Sequence, residues 1–317
     1  MDFELHYTPE QEAFRKEVKA WLNENIPRGY KQPEDPEDIT YEQYKVAREF
    51  RCKLGAKGYL APSYPKEYGG GGYDMAHSVI IEEELAERDD MPRVVGDNGL
   101  GLFVPAIMVW GTEEQKKRFL PGMLGGEVVT WQGYTEPDAG SDLASLKARA
   151  VRDGDDFIIN GEKIFIGADY DVDYIFTLAV TDPKAPRHHN IGAFMVPANL
   201  PGIKKLRLNL FAWGTQPGKQ HVFYEDVRVP ASYRIGGETD GWQVTQSVLE
   251  VEHGGMGVAV QRNRLFERLR EYCKETKVNG RLLSEDPDVQ QELLDDYIRN
   301  EIIRLIGLRN YWMHNAR

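Results

Sequence analysis

The amino-acid sequence predicts an α+β protein with three consecutive regions: an N-terminal helical domain, a middle antiparallel β-barrel or β-sandwich domain, and a C-terminal helical bundle. Two observations lead to this prediction. Apolar residues recur at helical spacing in the first 125 residues and after residue 240, while short β-branched and aromatic runs fill the part between. Blocks of one element type, rather than alternating helices and strands, are typical of separate helical and β regions. The predicted domains are residues 1–125, 126–232 and 233–317.

Three helices of the first domain begin with the same capping signal. Thr8, Thr40 and Thr112 each precede a glutamine by three positions, which is the spacing of a capping box. The two side chains of such a box satisfy backbone N–H groups that the first helical turn leaves free. Helices are predicted over residues 8–27, 40–58, 75–88, 99–110 and 112–120.

The middle domain is predicted from β-rich stretches and turn signals. Strands are expected over residues 128–132, 147–151, 156–159, 163–166, 174–180, 191–196 and 221–229. Asp153-Gly154 and Asn160-Gly161 are predicted hairpin turns, because such pairs accept the positive φ of two-residue loops. Helical spacing then returns from Gly241 to about residue 275 and again over 284–315.

Composition limits the kinds of partner and compartment. The net charge of −12 argues against nucleic acid and anionic membrane surfaces. The sequence contains no run of about 18 apolar residues, so no membrane span is expected. The N-terminus lacks the basic and apolar pattern of a secretion signal. Cys52 and Cys273 are the only cysteines, which favours a reducing compartment, the cytoplasm. Neither they nor His188-His189 have metal-site spacing, so we expect no metal.

A polar loop follows the predicted strand over residues 128–132. In this loop, residues 134–143, Pro137 fixes one backbone angle and Gly140 can adopt positive φ. Thr135, Ser141 and free backbone N–H groups then remain at the end of a strand, where they could bind a flat heterocycle and an acyl chain. An ordinary turn with local hydrogen bonds is the alternative.

The same loop carries a family resemblance. Residues 135–142, Thr-Glu-Pro-Asp-Ala-Gly-Ser-Asp, resemble the TEPxAGSD signature of the acyl-CoA dehydrogenases, and the likeness is to the bacterial-type enzymes. Residues 65–70, 111–116, 160–163 and 223–230 resemble further family motifs in the family's order. The resemblance implies FAD as cofactor, an acyl-CoA substrate and an electron-transfer flavoprotein as electron acceptor. Because the family continues with further helices, the bundle is expected to be incomplete here or completed by a partner.

The resemblance also implies which residues bind FAD. They are Gln132, Gly133, Tyr134, Thr135, Gly140, Ser141, Phe165, Ile166 and Gly167. Thr135 is expected at the pyrimidine edge of the flavin. The family usually has Trp-Ile-Thr at the second stretch, so Gly167 lacks a hydroxyl and could use only its backbone N–H. The family's Arg-x-x-Phe-Gly pattern is replaced at residues 276–280, which weakens the expected pyrophosphate contact.

Desaturation of a thioester requires a base for the α-proton, and Glu252 is the candidate. In a helix that begins at Gly241, Glu252 shares the apolar side of Val248, whereas Glu250 lies almost opposite. A carboxylate in an apolar stripe is costly to ionise, which suits a base beside an acyl chain. The alternative is an ordinary surface glutamate.

The family resemblance supports the same helix. One subgroup places its base there in a Leu-x-x-Glu-Arg segment, which residues 249–253 resemble with His253 in place of arginine. Others place the base in a later loop. Ser141, Glu250 and His253 are predicted to contact the substrate.

Two other functions remain open from the sequence. One is a flavin oxidase or monooxygenase of the same fold, and the other is a non-catalytic subunit of a heteromeric acyl-CoA dehydrogenase. The long C-terminal helices carry wide apolar faces, which predict a homo-oligomer, a dimer or tetramer, or else a hetero-oligomer.

Overall fold

The computed structural model of the protein describes residues 7–33, 38–94, 96–167, 170–210, 218–252 and 264–315. The chain divides into two compact units. The first comprises Met1–Val18, Met75–Asp89 and Gly254–Arg317, and the second comprises Lys19–Asp74 and Asp90–His253. No helix in the described ranges is long and apolar enough to cross a membrane.

The N-terminal part is helical, as the sequence predicts. Its helices are α1 (Pro9–Asn25), α2 (Tyr41–Lys57), α3 (Met75–Ala86), α4 (Val104–Trp110) and α5 (Glu113–Leu124). A π-helical turn, Gly99–Phe103, precedes α4, so the predicted helix over 99–110 is not α-helical at its start.

All three capping boxes are confirmed. At Thr8, Thr40 and Thr112 the threonine hydroxyl accepts a hydrogen bond from the glutamine backbone N–H at 3.2 to 3.3 Å. The glutamine Oε1 accepts in return from the threonine backbone N–H at 2.8 to 2.9 Å. These bonds satisfy orphan donors and fix where each helix begins.

A central, mostly antiparallel sheet occupies the second unit. Its strands are β1 (Thr130–Gly133), β2 (Arg149–Asp153), β3 (Asp156–Ile166), β4 (Tyr174–Val180), β5 (Ile191–Pro197), β6 (Ile203–Arg207), β7 (Gln220–Pro230) and β8 (Arg234–Ile235). They pair in the order β6-β7-β3-β2-β4-β5-β8, and β1 pairs with β4. The polar edge strand β6 and the two-residue β8 were not predicted.

The predicted β domain, a barrel or a sandwich, is confirmed as a mostly antiparallel sheet, but the described strands do not form a closed barrel. The sheet has two ends, β6 and β8, that do not pair with each other. Both β1 and β2 run parallel to β4 and share its edge, with Thr130–Gly133 opposite Tyr174–Thr177 and Arg149 opposite Val180. The sheet is therefore mixed and open.

One of the two predicted hairpin turns is confirmed. Asp153 pairs with Asp156 across a turn in which Gly154 has φ of +62°. The other prediction is wrong, because β3 runs unbroken through Asn160 and Gly161. Gly161, at φ +144°, instead forms an irregularity in the ladder with β7, and a Cβ there would lie 2.6 Å from Ala148 Cβ.

Helix α6 (Gly241–Glu252) packs on β5, the π-helical turn and α4. Its buried residues, Gly241, Val244, Thr245 and Val248, follow helical spacing. A Cβ on Gly241 would lie 2.6 Å from the carbonyl oxygen of Ile191, so glycine lets the start of α6 sit directly on β5. The predicted continuation to residue 275 crosses residues 253–263, which lie outside the described ranges.

The first unit contains the last described helices. These are α7 (Arg264–Glu275) and α8 (Pro287–Asn315). Between them β9 (Lys277–Val278) and β10 (Arg281–Leu282) form a two-stranded hairpin. Asn279 and Gly280 form its turn with φ of +53° and +80°. This hairpin spans residues 277–282 and overlaps residues 276–280, where the sequence differs from the expected family pattern.

Candidate active site

The polar loop after β1 is attached to β3 by backbone hydrogen bonds. The backbone N–H of Ile164 donates to the carbonyl of Thr135 at 2.8 Å. Glu136 and Ala139 bridge each other, with N–H to carbonyl distances of 3.0 and 3.1 Å. These bonds close residues 136–139 into a tight turn and leave Thr135 at the point where the loop leaves β1.

A buried ion pair lies beneath the loop. Glu136 is 5% exposed and Lys163, on β3, is 0% exposed, and their Oε1 and Nζ atoms are 2.8 Å apart. Lys163 Nζ also donates to the carbonyl of Tyr134 at 3.1 Å. The carboxylate accepts two more hydrogen bonds, from the backbone N–H groups of Lys147 at 2.6 Å and Ala148 at 2.9 Å. A buried charge is tolerated only when paired and hydrogen-bonded in this way.

Burial lowers the pKa of Lys163 to about 8, although the charge of Glu136 acts in the opposite direction. Sequence reasoning found both residues within motifs but missed that they pair. One sequence feature could have indicated the pair. The motif at residues 135–142 contains the acidic Glu136, and the motif at residues 160–163 contains the basic Lys163.

The exposed side of the loop presents free hydrogen-bonding groups. Thr135 is half-buried, and its hydroxyl has no partner among the described residues. Gly140 and Ser141 are exposed, and within the same ranges their backbone N–H groups find no acceptor. A flavin has carbonyl and N–H groups at its pyrimidine edge, and FAD adds phosphates that accept from N–H groups. The groups offered here fit such a cofactor.

The residues before Thr135 support the loop from below. Gly133 has no room for a side chain, since a Cβ there would lie 2.7 Å from Ile175 Cγ2. Tyr134 is buried against the helical side of the sheet, and burial raises the pKa of its hydroxyl. That hydroxyl lacks a close hydrogen bond in the described part of the chain. The Thr245 hydroxyl lies near it and donates to the Gly241 carbonyl at 2.6 Å.

The second predicted cofactor stretch, Phe165 to Gly167, has an unusual backbone. Phe165 has φ of +61° and a side chain that is 53% exposed, which is rare for a bulky residue. Ile166 is buried in the core. Gly167 has φ of +65°, and a Cβ there would lie 2.4 Å from the Trp131 ring. The missing hydroxyl therefore has a structural reason, since Trp131 fills the space that a threonine side chain would need.

Glu252 lies at the end of α6 and contacts β1. Gln132 Nε2 donates to Glu252 Oε2 at 3.0 Å, although the two residues are 120 positions apart. Helical spacing puts Glu252 on the same side of α6 as Val248, as predicted, and that side faces the sheet. The structure thus brings the candidate base, Glu252, to the strand that leads into the polar loop.

The predicted apolar surroundings of Glu252 are not observed, because its side chain is exposed. Glu252 lies one turn beyond Val248, the last buried residue of α6, so its carboxylate extends past the packed part of the helix toward the Gln132 amide. Glu250 is also exposed. The remaining predicted substrate contact, His253, lies outside the described residues.

Comparison with known proteins identifies the family. Models of the N-terminal, middle and C-terminal domains of acyl-CoA dehydrogenases match residues 8–127, 132–227 and 239–317. The chain belongs to the acyl-CoA dehydrogenase family. Named members of this family are oxidoreductases that act on CH–CH groups, and membership implies a flavin cofactor.

Individual acyl-CoA dehydrogenases align over most of the chain. Acyl-CoA dehydrogenase FadE26 of Mycobacterium tuberculosis is 31% identical over 307 residues, 96% of this chain and 75% of that protein. The crystal structure of an acyl-CoA dehydrogenase from Geobacillus kaustophilus has a TM-score of 0.78 and 31% identity, covering 98% of this chain and 80% of that one.

A third relative is the ChsE4–ChsE5 complex from Mycobacterium tuberculosis. It has a TM-score of 0.77 and 30% identity, covering 99% of this chain and 79% of that chain. The described helices and mostly antiparallel sheet are thus those of the acyl-CoA dehydrogenase fold.

Proposed function

We propose that the protein is an FAD-dependent acyl-CoA dehydrogenase that introduces an α,β double bond into an acyl-CoA thioester. Glu252 removes the α-proton, and bound FAD supplies the acceptor for the β-hydride. The observation that carries this proposal is the 3.0 Å hydrogen bond between Gln132 and Glu252. It joins an accessible carboxylate to the strand whose end carries the family's cofactor loop.

The other site residues have roles that follow from their surroundings. The free Thr135 hydroxyl would hold the pyrimidine edge of the flavin, and the exposed N–H groups of Gly140 and Ser141 would bind its phosphates or the substrate. Phe165 presents an exposed aromatic face that could pack against the ring system. The buried pair of Lys163 and Glu136 keeps the loop in the conformation that offers these groups.

The test is reduction of the purified protein's flavin by acyl-CoA thioesters under anaerobic conditions. A panel with straight, branched and polycyclic acyl groups is mixed with the protein, and bleaching of the flavin absorbance is followed. At least one thioester should bleach the flavin, and an electron-transfer flavoprotein should reoxidise it faster than air does. Rapid reoxidation by air would favour the oxidase alternative, and a flavin that no thioester reduces would contradict the proposal.

A non-catalytic subunit of a heteromeric dehydrogenase is the second candidate. The observations that favour it are the space filled by Trp131 at Gly167 and the hairpin over residues 277–282, which lie where family cofactor contacts are expected. One solved relative is itself a complex, ChsE4–ChsE5. Purified protein without bound flavin, and without affinity for added FAD, would support this candidate.

The proposal also includes an oligomeric state and a cellular compartment. A homo-oligomer, a dimer or a tetramer, is supported by the exposed apolar side chains of α8, among them Ile298, Ile302 and Leu305. Free cysteines at positions 52 and 273 support a reducing compartment, the cytoplasm.

A further inference from the structure

We infer that Gln132 is a positioning residue for Glu252: its side-chain amide holds the carboxylate toward the polar loop of residues 134–143. This inference rests on the proposed function, in which Glu252 is the base. Gln132 is predicted above only to bind the cofactor, so positioning of Glu252 is an additional role for it.

The geometry supports a fixed contact. Gln132 is half-buried on β1, between Trp131 and Gly133, which are both buried. Its backbone pairs with Phe176 on β4, so the strand cannot shift without breaking the ladder. The amide therefore comes from a rigid strand, whereas Glu252 lies near the end of the described part of α6.

The hydrogen bond involves only one of the two carboxylate oxygens. Gln132 Nε2 donates to Oε2, and among the described residues no donor reaches Oε1. Oε1 is thus free to receive the α-proton while Oε2 is held. A single donor orients the carboxylate without occupying the atom that the reaction requires.

Few charges surround Glu252. The elements that pack on α6 are β5, the π-helical turn and α4, and none of the three contains an ionisable side chain, nor does β1. Among the described residues, the buried Tyr134, which follows β1, interacts electrostatically with Glu252. His188 stacks on Trp242, at the opposite end of α6.

This environment makes the neutral amide important. Among the described residues, the Gln132 amide is the side-chain donor that contacts the Glu252 carboxylate. A donor to a carboxylate favours the charged form. A cation at the same place would also stabilise the charge, but it would hold the carboxylate more tightly and make it a weaker base.

The test compares Gln132→Leu and Gln132→Glu with the parent, all as flavin-loaded protein. Leucine keeps the size but removes the donor, and glutamate keeps the shape but sets a like charge against Glu252. Gln246→Leu is the control, because Gln246 is an exposed residue of the same helix. The rate of flavin reduction and the dissociation constant of the acyl-CoA are measured.

We expect the reduction rate of Gln132→Leu to fall about 3- to 10-fold, which corresponds to loss of one hydrogen bond. The dissociation constant should stay within about 2-fold, since the hydrogen bond is not made to the substrate. Gln132→Glu, which sets a like charge against Glu252 and repels the carboxylate from its place, should lower the reduction rate further than Gln132→Leu does. Gln246→Leu should match the parent in both measurements.

A second readout does not depend on turnover. Crystal structures of the parent and of Gln132→Leu show where the Glu252 carboxylate lies. We expect it at the Gln132 amide in the parent and in a different orientation, or in more than one, in Gln132→Leu. The same carboxylate orientation together with an unchanged reduction rate in Gln132→Leu would overturn the inference. If instead no acyl-CoA reduces the parent's flavin, the proposed function is wrong, and the crystal structures still decide whether Gln132 positions Glu252.

Discussion

At the scale of single residues, Gly167 has two independent reasons to be glycine. Its φ of +65° lies in the left-handed region, and a Cβ would come within 2.4 Å of the Trp131 ring. The first reason concerns the backbone and the second concerns packing. Gly154 has the backbone reason without the packing reason, because its φ is +62° but no atom lies within 4 Å of its Cβ position.

We predict that Gly167→Ala destabilises the protein more than Gly154→Ala. The left-handed backbone costs about 1–2 kcal/mol for a residue with a Cβ, and this cost applies to both variants. At Gly167 the clash with Trp131 should add about 1–3 kcal/mol. Urea denaturation of the two variants measures the difference in the free energy of unfolding. Equal losses would mean that Trp131 moves aside without cost.

Two Asn-Gly pairs show what residue patterns can and cannot predict. Asn160-Gly161 was predicted as a hairpin turn but lies inside β3, where the Asn160 side chain donates to Asp226 Oδ1 at 3.0 Å. Asn279-Gly280 was not predicted as a turn but forms one, with both φ values positive. The dipeptide allows a turn, and pairing of β3 with both β2 and β7 overrides that preference.

At the scale of elements, the ion pair of Lys163 and Glu136 joins the polar loop to β3. Removing one member would leave a buried charge without its partner. The exposed pair of Lys147 and Asp138 in the same region provides a comparison, with side chains 72% and 71% exposed and a separation of 2.8 Å.

Lys163→Met should therefore lower the free energy of unfolding by about 3–5 kcal/mol. Lys147→Met should lower it by about 1 kcal/mol or less, since solvent screens an exposed pair. The Lys147 backbone N–H still donates to Glu136 in that variant, so only the side-chain pair is tested. Similar losses in the two variants would contradict the structural role given to Lys163.

The same lysine predicts a pH dependence of stability. Burial lowers the pKa of Lys163 from 10.5 to about 8. Between these pH values the unfolded chain keeps the proton that the folded chain has released, so this group's contribution to stability rises with pH. The free energy of unfolding of the parent relative to Lys163→Met should increase from pH 8 to pH 10, by at most about 1.4 kcal/mol per pH unit. Denaturation at several pH values measures it, and a constant or falling difference would be contrary to expectation.

Sequence reasoning predicted the elements of the site better than their contacts. Helical spacing put Glu252 and Glu250 on different sides of α6, and the resemblance located the loop at Thr135. The bond between Gln132 and Glu252 spans 120 positions, and periodicity within one element contains no information about such a pair. The exposure of Glu252 was missed for a related reason, since an apolar stripe does not show whether another element covers each of its positions.

At the scale of the whole molecule, α8 has a broad apolar surface. Leu294, Ile298, Ile302 and Leu305 are each between 43% and 52% exposed in the described unit. Apolar surface of this width on one helix is typical of an interface between subunits.

We expect the parent to scatter light as a dimer or tetramer and Leu305→Glu to shift it toward a smaller species. Arg299→Glu is the matched control, because Arg299 is exposed and lies about 120° around the helix from Leu305. It should keep the parent's assembly. A monomeric parent, or equal dissociation in both variants, would exclude this surface as the interface.

The central claim is that Glu252 is the base, and stopped-flow reduction of the flavin in Glu252→Gln tests it most directly. Glutamine keeps the size of the side chain, so folding and flavin content should remain, but an amide cannot accept the α-proton. A general base contributes about 10²–10⁴ in rate, so reduction by a good acyl-CoA should fall at least about 100-fold. At saturating acyl-CoA, Glu250→Gln, on the other side of α6, should stay within about 3-fold of the parent rate, because loss of a substrate contact weakens binding without removing the base. Normal reduction in Glu252→Gln would contradict the account and require a base elsewhere.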